Sequence, residues 1–180
     1  MKTKSAIAIL TGLVLSASAM ADTPASYDTK FNVSANVPDS AHITDPSGKP
    51  ITDMDVVLTP AASGFMEATT DIVKLWNNDV NKLDVTLTLD DSQSATGGDF
   101  TLYSTEGGTL NSMTYKINAI SSEGTKQFAT SGSAQDYTLV ANGTHGELPV
   151  KFHFVSNKAY TDLGQGNYTG VVYANVNAKA

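Results

Sequence analysis

Ala25-Ser26-Tyr27-Asp28-Thr29-Lys30-Phe31-Asn32-Val33-Ser34-Ala35-Asn36-Val37 alternates without a slip. Every apolar side chain of the run falls on an odd position, and every even position is polar. Successive side chains of a strand point to opposite faces, so the run puts one apolar edge into a core and one polar edge into water. It lies directly before Pro38 and just after a candidate cleavage site. A long strand with a free end can pair inside its own domain, or it can be lent to another molecule.

The residues ahead of it read as a secretion signal. Lys2 and Lys4 give a positive start, residues 6–15 are a short apolar run, and Ala19-Met20-Ala21 has small residues where a signal peptidase reads. A run of ten residues is too short to span a bilayer as a permanent helix. The expected organisation is a signal peptide over 1–21, an N-terminal extension over 22–38 and one domain over 39–180. The mature chain of 159 residues is then exported, and it is long enough to build its own core.

Composition narrows the chemistry. There is no cysteine, so packing and strand pairing must hold the fold, and thiol chemistry and cysteine metal sites are excluded. All 11 basic residues are lysine, against 18 acidic ones; without Lys2 and Lys4 the mature net charge is −9. An acidic chain without arginine makes a poor nucleic-acid binder, so no nucleic-acid partner is expected. The acidity is better explained as solubility for a strand-rich surface.

Short alternating runs between turn signals fill the mature chain. Asp45-Pro46-Ser47-Gly48-Lys49-Pro50 is a turn by composition. Strands are expected over 54–58, 70–76, 82–89, 100–103, 113–119, 148–155 and 168–177, with shorter pieces near Phe128 and 137–140. Asn77-Asn78-Asp79-Val80-Asn81 makes 70–76 and 82–89 the best hairpin candidate. No stretch sustains a 3.6-residue apolar period with caps, so helices should be rare, and many short strands imply an all-β, immunoglobulin-like β-sandwich.

Candidate chemistry is sparse. Asn77, Asp79 and Asn81 imitate the start of a calcium loop, but Lys82 and Thr88 stand where glycine and glutamate are needed. His42, His145 and His153 are far apart, and His153 falls on the polar side of its strand. The pairs Asp53 with Asp55 and Asp90 with Asp91 could serve as acid and base, yet both lie at strand ends, where Asp commonly bonds its own backbone. Trp76 and the tyrosines could stack on a sugar, although an aromatic in an alternating strand usually packs across strands. No nucleophile, phosphate-loop or metal motif appears, so no catalytic or metal residue, no cofactor and no enzymatic activity is expected.

Three places carry a resemblance. Lys30-Phe31-Asn32-Val33-Ser34-Ala35-Asn36-Val37, then Val73-Lys74-Leu75-Trp76-Asn77-Asn78-Asp79 with Lys82 and the strand 83–89, and finally Gly166-Asn167-Tyr168-Thr169-Gly170-Val171-Val172 resemble the major pilins of alpha-class (class 5, colonisation factor antigen I-like) chaperone-usher fimbriae. The family's Val-Asp-Pro after the first strand is here Val37-Pro38-Asp39, which shifts the hinge by one residue.

The resemblance implies an incomplete immunoglobulin-like β-sandwich completed by donor-strand exchange. It implies a structural subunit of an adhesive fimbria on the bacterial surface, passed through the periplasm. Its implied partners are identical pilin subunits, a periplasmic chaperone, an outer-membrane usher and a tip adhesin. Carried over by position, Phe31, Val33, Ala35 and Val37 are donor residues with Tyr27 as an outer contact, and Val172, Ala174 and Val176 or their alternates line the acceptor groove. The reading left open beside it is a stand-alone secreted β-sandwich, lectin-like or matrix-binding, whose run 25–37 pairs inside its own domain.

Overall fold

The computed structural model describes residues 31–35, 40–107 and 111–179. The chain divides into two units, 1–36 and 37–180, and every described strand belongs to the second.

Strands appear where side chains alternate. β1 (Ala41–Thr44), β2 (Thr59–Pro60), β3 (Phe65–Thr69), β4 (Val73–Asn77), β5 (Asp84–Asp91), β6 (Phe100–Ser104) and β7 (Ser112–Ser121) make up the first half. β8 (Gly124–Phe128), β9 (Ser133–Thr138), β10 (Val140–Asn142), β11 (His145–Ala159), β12 (Tyr168–Thr169) and β13 (Val172–Ala178) complete the set, with one short 3-10 turn at Tyr160–Asp162.

Two antiparallel sheets result. The larger runs β1-β4-β11-β7-β6-β12, with β2, β3, β8 and β10 attached, and the smaller runs β13-β5-β9. β11 is the spine of the first: β4 and then β3 pair with its successive halves, and β7 pairs along Val150–Ser156. Val73 and Leu75 of β4, Leu148, Val150 and Phe152 of β11, and Tyr115, Ile117 and Ala119 of β7 point inward. Val85, Leu87 and Leu89 of β5, Tyr137 of β9 and Val176 of β13 meet them from the second sheet. These are the two inner faces of a sandwich, each supplied by every second residue.

The Asp45 turn forms as its composition dictates. The Asp45 carboxylate accepts from Ser47 N (2.8 Å), Ser47 Oγ (2.6 Å) and Lys49 N (3.0 Å), while Gly48 takes φ +89°. Ile51 N then donates to Ile43 O (2.9 Å), which returns the chain beside β1.

Three strand expectations change. β4 and β5 are not a hairpin: β4 pairs with β1 and β11 in one sheet, and β5 pairs with β9 and β13 in the other. The turn residues are used locally instead, Asn77 Nδ2 donating to Lys82 O (2.7 Å), so the same turn signal carries the chain between sheets. Residues 54–58 form no strand, because no described strand lies alongside to pair with them. The expected strand 168–177 is two strands in different sheets: β12 pairs with β6 and β13 with β5.

Candidate functional site: an apolar cleft at an open sheet edge

β13 pairs with β5 on one side, and among the described residues no strand pairs with its other side. An edge strand presents a row of unpaired backbone donors and acceptors, which is a template for another strand.

A cleft runs along that edge. Its first part, about 580 Å³, lies between residues 51–56 and 170–176, with Ala41 and Ile43 of β1 at its side. Leu89, Ile117, Phe152 and Phe154 form its floor. A second part, about 690 Å³, continues between residues 56–60 and 163–170 over Met66, Leu102 and Met113. Val56 and Gly170 line both parts. Asp53 and Asp55 are the charged lining residues, both exposed, so the acidic pair lies on a cleft wall with an apolar floor.

Pairing register fixes which way β13 faces. Ala174 lies opposite Leu89, and Val176 opposite Leu87, both core residues, so Val172, Ala174 and Val176 point inward. Val176 is buried, Val172 packs partly against the core, and Ala174 is exposed; all three line the cleft. The alternate row, with Val171 and Tyr173 both more than half exposed, faces out. Just before β13, a Cβ on Gly170 would stand 2.7 Å from Leu102 Cδ2 and 3.0 Å from Thr101 O. No side chain fits there without displacing a neighbour, and this close approach marks the change of sheet.

Of the sequence-predicted donor residues, Phe31 and Val33 are 81% and 90% exposed, and Ala35 is exposed, with no strand assigned over 31–35. Tyr27 and Val37 lie outside the described residues.

The other candidates resolve into structural roles. Asp91 is buried, with Oδ2 accepting from Thr101 N (2.7 Å) and Ser94 Oγ (3.1 Å) and Oδ1 from Gln93 N (2.9 Å). It ties the loop after β5 to β6. Asp79 Oδ1 accepts from Asn81 N (2.9 Å), as a turn residue does. Trp76 is flanked by imidazoles: His42 from β1 at 4.7 Å and 44°, and His145 from β11 at 5.4 Å and 28°. Burial lowers the pKa of His42. His145 Nε2 lies 3.4 Å from Glu147 Oε2, whose carboxyl the Lys74 ammonium holds below the usual carboxylate range. His153, expected to face solvent, is half-buried with Nε2 3.3 Å from Glu67 Oε2. Among the described residues no group of three or more His, Cys, Asp or Glu could hold a metal ion, and no helix is long and apolar enough to cross a membrane.

The fold is an all-β, immunoglobulin-like sandwich of the kind found in fimbrial adhesin chains. CfaE, the adhesive subunit of CFA/I fimbria of enterotoxigenic Escherichia coli, superposes with a TM-score of 0.53 at 15% identity. A mutant of that adhesin gives 0.52 at 16%, and a chain from a chaperone–tip adhesin complex of CFA/I fimbriae biogenesis gives 0.50 at 18%. In each case 78% of this chain is covered against 43% of the other, so the chain spans less than half the length of the solved chains it matches. No protein-family model matches the sequence, and no curated protein does.

Proposed function

We propose that this protein is a structural subunit of a surface fimbria, joined to its neighbours by strand addition. The N-terminal arm of one copy completes the sandwich of the next. Donor residues are Phe31, Val33, Ala35 and Val37, with Tyr27 outside them, and Val172, Ala174 and Val176 line the receiving cleft. A periplasmic chaperone holds the cleft before an outer-membrane usher exchanges it for the arm, and a tip adhesin ends the fibre. The mature chain begins at Asp22 after export.

One observation carries this reading: the apolar cleft follows an edge of β13 that no described strand covers. Strand addition fits such an edge, since main-chain hydrogen bonds give affinity and alternate side chains enter the core. Burying Phe31 and Val33 is worth about 1.5–3 kcal/mol each, gross of ordering costs.

The test is a synthetic peptide of residues 25–37 added in excess to the mature chain. It is expected to bind, raise the melting temperature and stop chain growth, while a Phe31→Asp peptide does none of these. A chain that neither binds the wild-type peptide nor polymerises removes the reading.

A further inference from the structure

The smaller sheet has two outer strands, β13 and β9, with β5 between them. Either edge of a sheet offers another chain a row of unpaired main-chain groups, unless that edge is blunted. The two edges here differ. Along β13, among the described residues, no side chain bonds to the main chain of Val172–Ala178, and the cleft beside it has an apolar floor.

β9 meets β8 instead. The two are consecutive strands joined by residues 129–132, yet they lie in different sheets: β8 pairs with β7, and β9 with β5. Leu139 N, one residue beyond β9, donates to Leu83 O on the β5 side (2.8 Å). By alternation the even positions Ala134, Asp136 and Thr138 turn their main-chain groups away from β5. Side chains take those groups. Glu123 Oε1 accepts from Thr138 N (2.8 Å), and Lys126 Nζ donates to Asp136 O. In the opposite direction across the seam, Gln135 Nε2 donates to Gln127 O of β8 (3.0 Å). Lys126 is itself held in place, its ammonium 2.7 Å from Glu123 Oε2 and 4.1 Å from the centre of the buried Tyr137 ring. An incoming strand could replace the main-chain bonds. It would also have to bury or displace the half-buried Lys126 and its carboxylate partner, and burying charge is costly. Inward-set charges, lysine above all, are among the ways a sheet edge is protected from pairing.

We propose that Glu123, Lys126 and Gln135 seal the seam between β8 and β9, so that the smaller sheet takes a strand of a second copy along β13 only. As a rule for fibre growth this rests on the strand-addition reading above; the seal itself does not. One open and one sealed edge give the smaller sheet a single acceptor, and growth through that sheet stays linear. With the seal removed, β9 of one copy would pair antiparallel with β9 of another across a two-fold axis, joining fibres side by side.

The test uses the full mature chain with the 25–37 peptide in excess, which fills the cleft. The parent is expected to sediment as a monomer at every concentration, with the Thr138 amide protected from hydrogen exchange. Glu123→Ala with Lys126→Ala should speed exchange at Thr138 about tenfold or more at dilution, leave Leu139, bonded to β5, unchanged, and associate as concentration rises. Glu123→Gln with Lys126→Arg keeps an acceptor and a donor in place and should match the parent. Exchange that rises equally at Thr138 and Leu139 would show that these side chains only stabilise the fold, and overturns the seal. So does an alanine variant that exposes Thr138 yet stays monomeric. Should the double variant not fold, Glu123→Ala alone decides by the same two readings. A parent whose melting temperature the peptide leaves unchanged removes the strand-addition reading, and exchange at Thr138 then decides the seal by itself.

Discussion

Asp91 lies where the sequence offered a choice between acid-base chemistry and a turn, and its oxygens decide it. Three donors, two of them backbone N–H groups, converge on a carboxylate that is 5% exposed, while the Asp91 N–H itself donates to Ser131 Oγ (2.9 Å). The carboxylate therefore serves as a buried anchor between the loop and β6. Asp91→Ala would strand the buried Thr101 N–H and free the loop 92–99, at a cost of about 2–4 kcal/mol. Urea unfolding of the peptide-capped chain should record that loss, with Asp91→Asn, which keeps an acceptor, in between. The expectation that acidic pairs at strand ends bond locally was legible from residue type. The reach from Asp91 to Thr101 was not, because it depends on β5 and β6 lying across the sandwich from one another. Trp76 is similar: cross-strand packing could be read from its alternating strand, whereas its two imidazole neighbours required the pairing of β1, β4 and β11.

At the scale of elements, alternation placed β5, β7 and β11 well, because each buries one face and the period of two survives in sequence. It failed where a strand changes partner. From Tyr168 to Asn177 the sequence reads as one strand, yet the chain leaves one sheet and enters the other around Gly170. What is invisible locally is the close approach at that point, where a Cβ would meet Leu102 and the Thr101 carbonyl. Gly170→Ala should therefore cost about 1–3 kcal/mol as overpacking, read as a lowered urea midpoint. An unchanged midpoint would mean that the two sheets can part there without loss. Residues 54–58 erred for the converse reason. Met54, Val56 and Leu58 have the composition of a strand, but a strand also needs a neighbour, and these residues border the cleft.

For the whole molecule, the lack of cysteine decides what kind of joint a fibre of these subunits can have. In the proposed fibre no disulfide can join copies, so reductant should leave polymers intact, and their endurance would come from buried side chains and a completed ladder of main-chain hydrogen bonds. In the proposed joint Phe31 would be the largest side chain entering the cleft, and removing its ring would leave a cavity over the floor of Leu89, Ile117, Phe152 and Phe154. Large-to-small changes at such sites cost about 3–5 kcal/mol for Phe→Ala. Phe31→Ala subunits should accordingly polymerise, because the ladder and the valines remain, but their fibres should come apart at a clearly lower denaturant concentration, roughly a hundredfold or more weaker per joint. Ala35→Gly removes only a methyl group and should shift dissociation far less. Equal shifts for the two variants would mean that the arm does not seat its ring in the first part of the cleft. The alternation of the run 25–37 offered a donor and an ordinary first strand alike, and the donor role is part of the proposal. For the receiving half the resemblance named Val172, Ala174 and Val176, whereas the unpaired side of β13 among the described residues is a property of the sheet rather than of any stretch of sequence.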